Sequence, residues 1–254
     1  MSRSGTNNRK SKPVWKTIAE IIQTEITDGI HKPGEKLPTE AAFVERFNVN
    51  RHTIRHALSS LNEDGIVFSK QGSGVFVSTA PAKYEIGKRV RFHQSIDGEG
   101  HKAKKETLHV ETRPATKEEA QALKISTTDL VHIHEGIAFI DDQPAAHFIS
   151  AYPAKKLPNL LNKLVETGSV TSAMSVCGIN DYFRIETRLT AVLCNATTAI
   201  HLNLKSGAPL LRSLALNCDT NGQIIEYGRT WFSGNNIELI FKNEANSEFH
   251  KTVS

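Results

Sequence analysis

Apolar residues in the first part of the chain recur at helical spacing in three segments. Residues 14–28 carry apolar side chains three or four positions apart, which predicts an amphipathic helix that ends at Gly29. Thr39 and Asn50 precede the second and third apolar segments and are predicted to be their N-caps. The third helix is predicted to extend to about Asp64 and to bury an apolar side made of Ile54, Ala57, Leu58 and Leu61.

Two short β-prone runs follow the third helix, Ile66–Phe68 and Val75–Val77, and a glycine-rich segment joins them. Helix, helix, turn, helix and hairpin is the order of elements in a winged helix-turn-helix, which we predict for residues 13–78. A disordered tail, residues 1–12, is expected before it, and a linker, residues 79–83, after it.

Beyond the linker the pattern changes to strands with short helices between them. A hairpin turn is predicted at residues 141–143, and Asn221-Gly222 marks a second one. Thr116 and Glu119 have the spacing of a capping box that opens a helix. We therefore predict an α+β fold whose C-terminal part is a mixed, largely antiparallel sheet domain with helices. This effector-binding and dimerisation domain is expected at residues 84–245, with a tail at 246–254.

The exposed side of the third helix gathers hydrogen-bond donors near the helix start, where Arg51 and Arg55 lie four residues apart. No acidic residue occupies the first three turns of this helix, so the two guanidinium groups are expected to repel each other unless an anion joins them. Such a helix fits the major groove of DNA, where arginine reads guanine through two parallel hydrogen bonds. The alternative is a solvated basic face that has no partner. The predicted DNA-binding residues are Thr39, Asn50, Arg51, His52, Thr53, Arg55, Gln71, Gly72, Ser73 and Gly74.

The charge balance agrees with an anionic polymer as the partner of the N-terminal part. The net charge is +4, and residues 1–80 hold 11 Lys and Arg against 8 Asp and Glu, whereas the remaining residues hold 20 against 19. No apolar run approaches the roughly 20 residues of a membrane helix, and the polar, basic N-terminus is unlike a secretory signal. Three scattered cysteines predict free thiols in a reducing bacterial cytoplasm rather than disulfides or structural zinc.

Three motifs in the predicted winged helix-turn-helix resemble the GntR family of bacterial transcription factors. They are LPTE at 37–40, FNVNRHTIRHAL at 47–58 and QGSGVFV at 71–77. The resemblance implies that the third helix enters the major groove and the wing the minor groove, and that dimers bind palindromic operators. Many members carry a DNA-contacting arginine just after the glutamate of the first motif, where this chain has Ala41.

The second part resembles the UTRA domain, the chorismate-lyase-like effector domain of the HutC subfamily. The stretches that carry this resemblance are DDQP at 141–144, LNLKSG at 202–207 and GQIIEY at 222–227. Within the subfamily, NRHT at 50–53, YEIGKRVRF at 84–92 and GINDYFR at 178–184 are most similar to the PhnF-type regulators of phosphonate utilisation. This resemblance implies a ligand-responsive repressor of genes for phosphonate uptake and degradation.

A phosphonate or phosphate effector needs convergent donors. Ser169 and Thr171 lie at a predicted helix start, where backbone N–H groups bind anions. The family pattern implies that Arg91 and Ser169 contact phosphate and that Glu226 reaches the far side of the ligand. Sugar-phosphate sensors of the subfamily carry an Arg-x-Arg pair where this chain has Gly136 and Ala138, so the resemblance implies a smaller or different anion. The predicted effector-binding residues are Arg89, Arg91, Ser169, Thr171, Arg188, Glu226 and Tyr227.

Other interpretations remain open at this stage. The effector could be another small anion, such as a sugar phosphate or urocanate, and the arginines could belong to ordinary surface ion pairs. An enzyme with an appended DNA-binding module lacks support, since the chain has no nucleophile elbow and no clustered metal ligands. His132 and His134 share a predicted strand face and are interpreted as a structural pair. We expect no metal, no cofactor and no membrane, and we expect a homodimer.

Overall fold

The computed structural model describes residues 12–70, 72–87, 92, 96 and 100–241. The chain divides between Ala80 and Pro81 into two compact units. The elements of the N-terminal unit are α1 (Val14–Thr27), α2 (Glu40–Phe47), α3 (Arg51–Glu63), β1 (Val67–Lys70) and β2 (Gly74–Val77). The two strands pair antiparallel, which gives the hairpin of a winged helix-turn-helix.

The predicted caps and core of the N-terminal unit are confirmed. The Thr39 hydroxyl accepts a hydrogen bond from the Ala42 N–H (3.2 Å) at the start of α2. The four residues predicted for the apolar side of α3 are all buried, against a core that also holds Ile22 and Phe43. Because this side is fixed inward, the opposite side of α3 faces solvent.

The C-terminal unit is built on one large antiparallel sheet, with helices inserted between its strands. Its elements are β3 (Ala82–Glu85), β4 (Ala103–Pro114), α4 (Lys117–Leu123), β5 (Leu130–Ile140), β6 (Gln143–Pro153), α5 (Leu160–Thr167), α6 (Val170–Val176), β7 (Tyr182–Leu193), α7 (Ala196–Leu202), β8 (Pro209–Asp219), β9 (Ile224–Ser233) and β10 (Ile237–Ile240). The strand order in the six-stranded sheet is β4-β5-β6-β9-β8-β7. The predicted α+β class is confirmed.

Alternation along the strands separates two faces of this sheet. Ala138, Ala146 and Phe232 lie on one face and form a core with Tyr84 of β3. Ala151 and Tyr227 lie on the other face, in the core that includes residues of α4. Helix α7 packs on this second face too, beside Trp231. The first face is the one that carries the cavity described below.

Two features differ from the expectations or refine them. The linker predicted at 79–83 overlaps β3, because Ala82 and Lys83 pair in parallel with Ile237 and Glu238 of β10. The predicted turn at 141–143 is a two-residue connection, in which Asp141 and Asp142 adopt φ values of 50° and 66°. Among the helices that the structure describes, none combines the length and the apolar character of a membrane-spanning segment.

Candidate DNA-binding surface and effector cavity

Arg51, His52 and Arg55 are exposed on the outward side of α3. Asn50 caps this helix, since its Oδ1 accepts hydrogen bonds from the Thr53 N–H (2.8 Å) and the Thr53 hydroxyl (2.9 Å). Asn50 and Thr53 therefore fix the start of the helix, and Thr39 does the same for α2. The exposed arginine side chains remain accessible to a ligand.

A carboxylate joins the two arginines, contrary to the expectation that only an external anion would do so. Glu40, the first residue of α2, accepts a hydrogen bond from Arg51 Nε (2.5 Å) and another from Arg55 Nε (3.1 Å). The hydrogen bond from Arg51 is the main cause that lowers the pKa of the Glu40 carboxyl. This carboxylate lies on α2, whereas the expectation considered only acidic residues within α3. Because Arg51 and Arg55 remain 68% and 59% exposed, Glu40 aligns their side chains without occluding them.

The tip of the wing brings backbone and a lysine together. Gly72 and Gly74 adopt φ values of 72° and 113°, which side-chain-bearing residues rarely adopt. A Cβ added at Gly74 would lie 2.9 Å from Lys36 Cε, so Lys36 lies beside the tip. The Ser73 N–H donates to the Lys70 carbonyl (2.9 Å), which closes the turn. Gln71, which was predicted to contact DNA, lies outside the described residues.

A cavity of about 150 Å³ opens on the first face of the large sheet. Aromatic rings line much of its wall, including Phe92, Phe148 and Phe232. Thr171 of α6 also contributes to the lining. The strands supply the polar part of the wall, which comprises Lys105, Ser150, Tyr152, Tyr182, Arg184, Ser213, Asn217, Glu226 and Thr230. The wall therefore offers both aromatic rings and many hydrogen-bonding groups to a small polar ligand.

Three charged side chains line this cavity, Lys105, Arg184 and Glu226. Burial is the main cause that lowers the pKa of the Lys105 ammonium, the charge of Glu226 opposes this shift, and the charge of Arg184 adds to it. Lys105 Nζ lies 5.1 Å from the centre of the Phe148 ring, and Arg184 Nε is buried without a hydrogen-bond partner in the described part of the chain. Two cations against one carboxylate leave the lining with an excess positive charge when Lys105 is protonated.

Glu226 is held by a network of donors. Its Oε1 accepts hydrogen bonds from Ser150 (2.7 Å) and Tyr152 (3.1 Å), and its Oε2 accepts one from Asn217 (2.6 Å). Burial raises the pKa of the Tyr152 phenol well above its usual value, so this residue remains a donor. The network fixes the carboxylate at a defined place in the wall, where it can accept hydrogen bonds from a ligand.

The structure brings only some of the predicted effector residues to this cavity. Thr171 and Glu226 line it, whereas Ser169 is the N-cap of α6 and accepts a hydrogen bond from the Ser172 N–H (3.3 Å). Arg188 is exposed and pairs with Glu186. Tyr227 lies on the opposite sheet face, where its hydroxyl donates to Glu118 (2.5 Å). The geometry therefore does not support Arg188 or Tyr227 as parts of this cavity. Arg89 and Arg91 lie outside the described residues.

Lys105 and Arg184 were not among the predicted effector residues. They lie on β4 and β7, the two edge strands of the sheet, and both line the same cavity. Their convergence depends on the arrangement of all six strands, which a local sequence pattern does not show. A partial signal was available for Arg184, which ends the GINDYFR stretch that carries the family resemblance. His132 and His134 are buried, and each is within hydrogen-bond distance of a threonine hydroxyl of β4, in agreement with a structural role.

Gly136, the first of the two positions that the family resemblance compares with an Arg-x-Arg pair, has no room for a side chain in this structure. A Cβ at Gly136 would lie 2.4 Å from the Glu106 carbonyl oxygen and 2.7 Å from Phe148 Cζ. The Phe148 ring therefore occupies the space that a side chain would need. Ala138, at the second such position, is buried in the cavity wall.

An exposed basic helix beside a glycine-tipped wing, joined to a unit with an internal polar cavity, defines a DNA-binding regulator that has an effector domain. Two family models match the chain, "Bacterial regulatory proteins, gntR family" at residues 15–77 and "UTRA domain" at residues 98–238. The chain belongs to the GntR family of bacterial regulatory proteins and carries a UTRA domain. It is a transcriptional regulator.

The known proteins to which the chain is similar include two regulators of Escherichia coli and one of Mycobacterium smegmatis. The mannosyl-D-glycerate transport/metabolism system repressor MngR of Escherichia coli is 28% identical over 222 residues, which are 87% of this chain and 92% of that protein. The probable transcriptional regulator PhnF of Escherichia coli is 34% identical over 120 residues, 47% of this chain and 49% of that one. The crystal structure of PhnF from Mycobacterium smegmatis aligns with a TM-score of 0.61 at 19% identity, over 92% of this chain and all of that one, and shows the same fold.

Proposed function

We propose that the protein is a ligand-responsive repressor of genes for phosphonate uptake and degradation, and that its effector is a small phosphonate or phosphate anion. The observation that carries this proposal is the placement of Lys105 and Arg184 in one cavity with a single carboxylate, Glu226. An anion that contacts both cations gains charge-assisted hydrogen bonds, which are the stronger class. The HutC-like and PhnF-like motifs and the match to PhnF of Escherichia coli support the phosphonate assignment.

The shape of the cavity favours a compact ligand with two different ends. A volume of about 150 Å³ is small compared with the roughly 300–1,000 Å³ of drug-sized sites. Lys105 and Arg184 would hold the phosphonate group. Glu226 would accept hydrogen bonds from an amino or hydroxyl group elsewhere on the same ligand, and aromatic rings would cover the carbon atoms between them.

The DNA-binding role is assigned to α3 and the wing. Arg51 and Arg55 would read base edges in the major groove, while Gly72 and Lys36 would approach the backbone or minor groove at the wing tip. A homodimer would present two such surfaces to the half-sites of a palindromic operator. In this proposal the side-chain oxygens of Thr39 and Asn50 cap the starts of α2 and α3. The backbone around these two residues, rather than the capping oxygens, would contact phosphate.

A carboxylate-bearing sugar effector is the second candidate, because MngR is similar to the chain over most of its length. A carboxylate could satisfy Lys105 and Arg184 as a phosphonate does. A sugar phosphate is less well supported, since Phe148 fills the space at Gly136 where related sensors carry an arginine.

Ligand-induced thermal stabilisation of the full-length chain tests the effector class, because a ligand that binds the folded state raises its melting temperature. The panel comprises methylphosphonate, 2-aminoethylphosphonate, phosphate, glucosamine 6-phosphate, glycerate and urocanate. The expected result is stabilisation by a phosphonate or by phosphate. Stabilisation by glycerate alone would contradict the phosphonate assignment and favour the second candidate. Stabilisation by the sugar phosphate alone would contradict both candidates.

Two variants and a matched control test whether the ligand binds in the cavity. Lys105→Met and Arg184→Gln are each expected to weaken binding of the stabilising anion at least tenfold, by about 1.4 kcal/mol or more. Arg188→Gln removes the same charge from an exposed position of the same strand and is expected to leave affinity unchanged. Equal affinity in all three variants would place the anion site elsewhere.

A further inference from the structure

A cluster of three metal-binding side chains lies on the second face of the large sheet, away from the effector cavity. Glu135 of β5, His147 of β6 and His201 of α7 place one donor atom each within 4.8 Å of one another. His147 Nε2 lies 2.7 Å from Glu135 Oε1, and the two imidazole rings have centroids 4.9 Å apart. We propose that this cluster is a binding site for a divalent transition-metal ion of the Zn²⁺, Co²⁺ or Ni²⁺ class.

The donor set matches the chemistry of these ions. Two imidazoles and one carboxylate are a common set of protein ligands for zinc, and they leave one tetrahedral position open for water or another ligand. Donors that bind a tetrahedral zinc lie about 3.3 Å apart, given bond lengths of about 2.0–2.1 Å. Donor atoms within 4.8 Å of one another would have to approach by up to about 1.5 Å to reach this spacing, and the side chains of Glu135 and His201 are partly exposed.

The ring of the central histidine is held in place by its neighbours. His147 is 3% exposed, and Trp231 stacks on its ring at a centroid distance of 5.3 Å, which fixes the ring plane. A ligand whose orientation is fixed in advance loses less side-chain freedom when a metal ion binds.

Metal titration of the full-length protein, stripped of metal with a chelator, tests the proposal. The chain has two tryptophans, Trp15 and Trp231, so the Trp15→Phe background isolates the ring stacked on His147. Co²⁺ and Ni²⁺ quench a nearby indole. Saturable quenching of Trp231 with one ion bound per chain, measured by inductively coupled plasma mass spectrometry after dialysis, is the expected result.

Matched variants decide whether the cluster itself binds the ion. Glu135→Gln preserves the size of the side chain, and His201→Ala removes a partly exposed ligand; each is expected to weaken metal affinity at least tenfold. His109→Ala is the control, because His109 and Glu111 form an exposed pair on β4 with a nitrogen–oxygen distance of 3.7 Å. Absence of Trp231 quenching, affinity unchanged in His201→Ala, or loss of binding in His109→Ala would each overturn the proposal. If Glu135→Gln does not fold, His201→Ala alone decides.

Discussion

Glu119 shows how one buried charge is accommodated in the C-terminal unit. Its side chain is fully buried and accepts hydrogen bonds from Arg113 (2.7 and 2.9 Å), from the Thr116 N–H (2.9 Å) and from Arg229 (3.2 Å). Burial alone would raise the pKa of this carboxyl, but the bonds from Arg113 and Thr116 outweigh it and lower the pKa to about 2. The residue therefore links α4 to β4 and β9.

Replacement of Glu119 by glutamine is predicted to lower the free energy of unfolding by roughly 3–5 kcal/mol, because Arg113 and Arg229 lose a buried counter-charge. Urea unfolding of the full-length chain measures the change. Glu166→Gln is the control, since Glu166 forms an exposed ion pair with Lys163 and its loss is expected to cost less than about 1 kcal/mol. Similar losses in both variants would contradict the special role of Glu119.

The same prediction has a pH signature. The folded pKa of Glu119 is lowered from 4.5 to about 2, so its stabilising effect is fully present above pH 4.5 and is lost as the pH falls toward 2. This shift corresponds to roughly 3 kcal/mol. The difference between wild type and Glu119→Gln is therefore expected to shrink below pH 4.5. A constant difference down to pH 2 would show that the stabilisation does not come from the ionised carboxylate.

The sequence predicted features that depend on neighbouring residues. The capping box of Thr116 and Glu119, the caps Thr39 and Asn50, and the buried side of α3 were all correct, because each depends on spacing within one element. The contact between Glu119 and Arg229 could not be predicted from the sequence, because Arg229 lies on a strand far along the chain.

At the scale of elements, the contact between α2 and α3 gives the proposed DNA-binding surface its charge pattern. Glu40 belongs to the LPTE motif, and its carboxylate contacts both Arg51 and Arg55. In this arrangement the arginines are aligned before DNA arrives, and part of their charge is offset. Pre-alignment favours base-specific contacts, while the offset weakens attraction to phosphates in general.

Glu40→Gln is predicted to lower the ratio of specific to non-specific DNA affinity at least fivefold. The glutamine leaves two uncompensated arginines, so binding to random duplex DNA should strengthen and become more salt-dependent. Fluorescence anisotropy with a selected operator and with a random duplex measures both affinities. Glu45→Gln removes one negative charge from an exposed position of α2 and is the control. An equal change in both variants would show that net charge alone is responsible.

The pairing of strands that lie far apart in the chain could not be predicted from the sequence. The strands β3 and β10 are each four residues long and come from opposite ends of the C-terminal unit, so their parallel pairing has no local pattern. The predicted linker therefore overlapped β3. By contrast, the turn at Asp141-Asp142 depends on adjacent residues, and its position was predicted.

For the whole molecule, the proposed effector cavity is the feature whose lining residues the sequence predicted only in part. Thr171 was predicted from its place near a helix start and Glu226 from the family pattern, and both line the cavity. Lys105 and Arg184 were missed, because the two edge strands converge on one site only after the complete sheet is assembled. An effector in this cavity can change DNA affinity only by binding one state of the regulator more tightly than another.

The lowered pKa of Lys105 predicts that effector affinity depends on pH. In the ligand-free protein, burial favours the neutral amine, whereas an anion beside it favours the ammonium. Binding is therefore coupled to proton uptake. Affinity is expected to be highest below the pKa of Lys105 in the free protein and to fall as the pH rises through that value. Isothermal titration in two buffers of different ionisation enthalpy measures the protons taken up.

Lys105→Arg provides the test of this coupling, because the guanidinium remains charged throughout the accessible pH range. The variant is expected to bind the same anion with a weaker pH dependence and without proton uptake from this residue. The ionisation of the ligand itself is identical in the two proteins, so it cancels in the comparison. If wild type and Lys105→Arg take up the same number of protons at every pH through the titration of Lys105, this residue does not contact the anion, and the cation that selects the effector must be sought elsewhere.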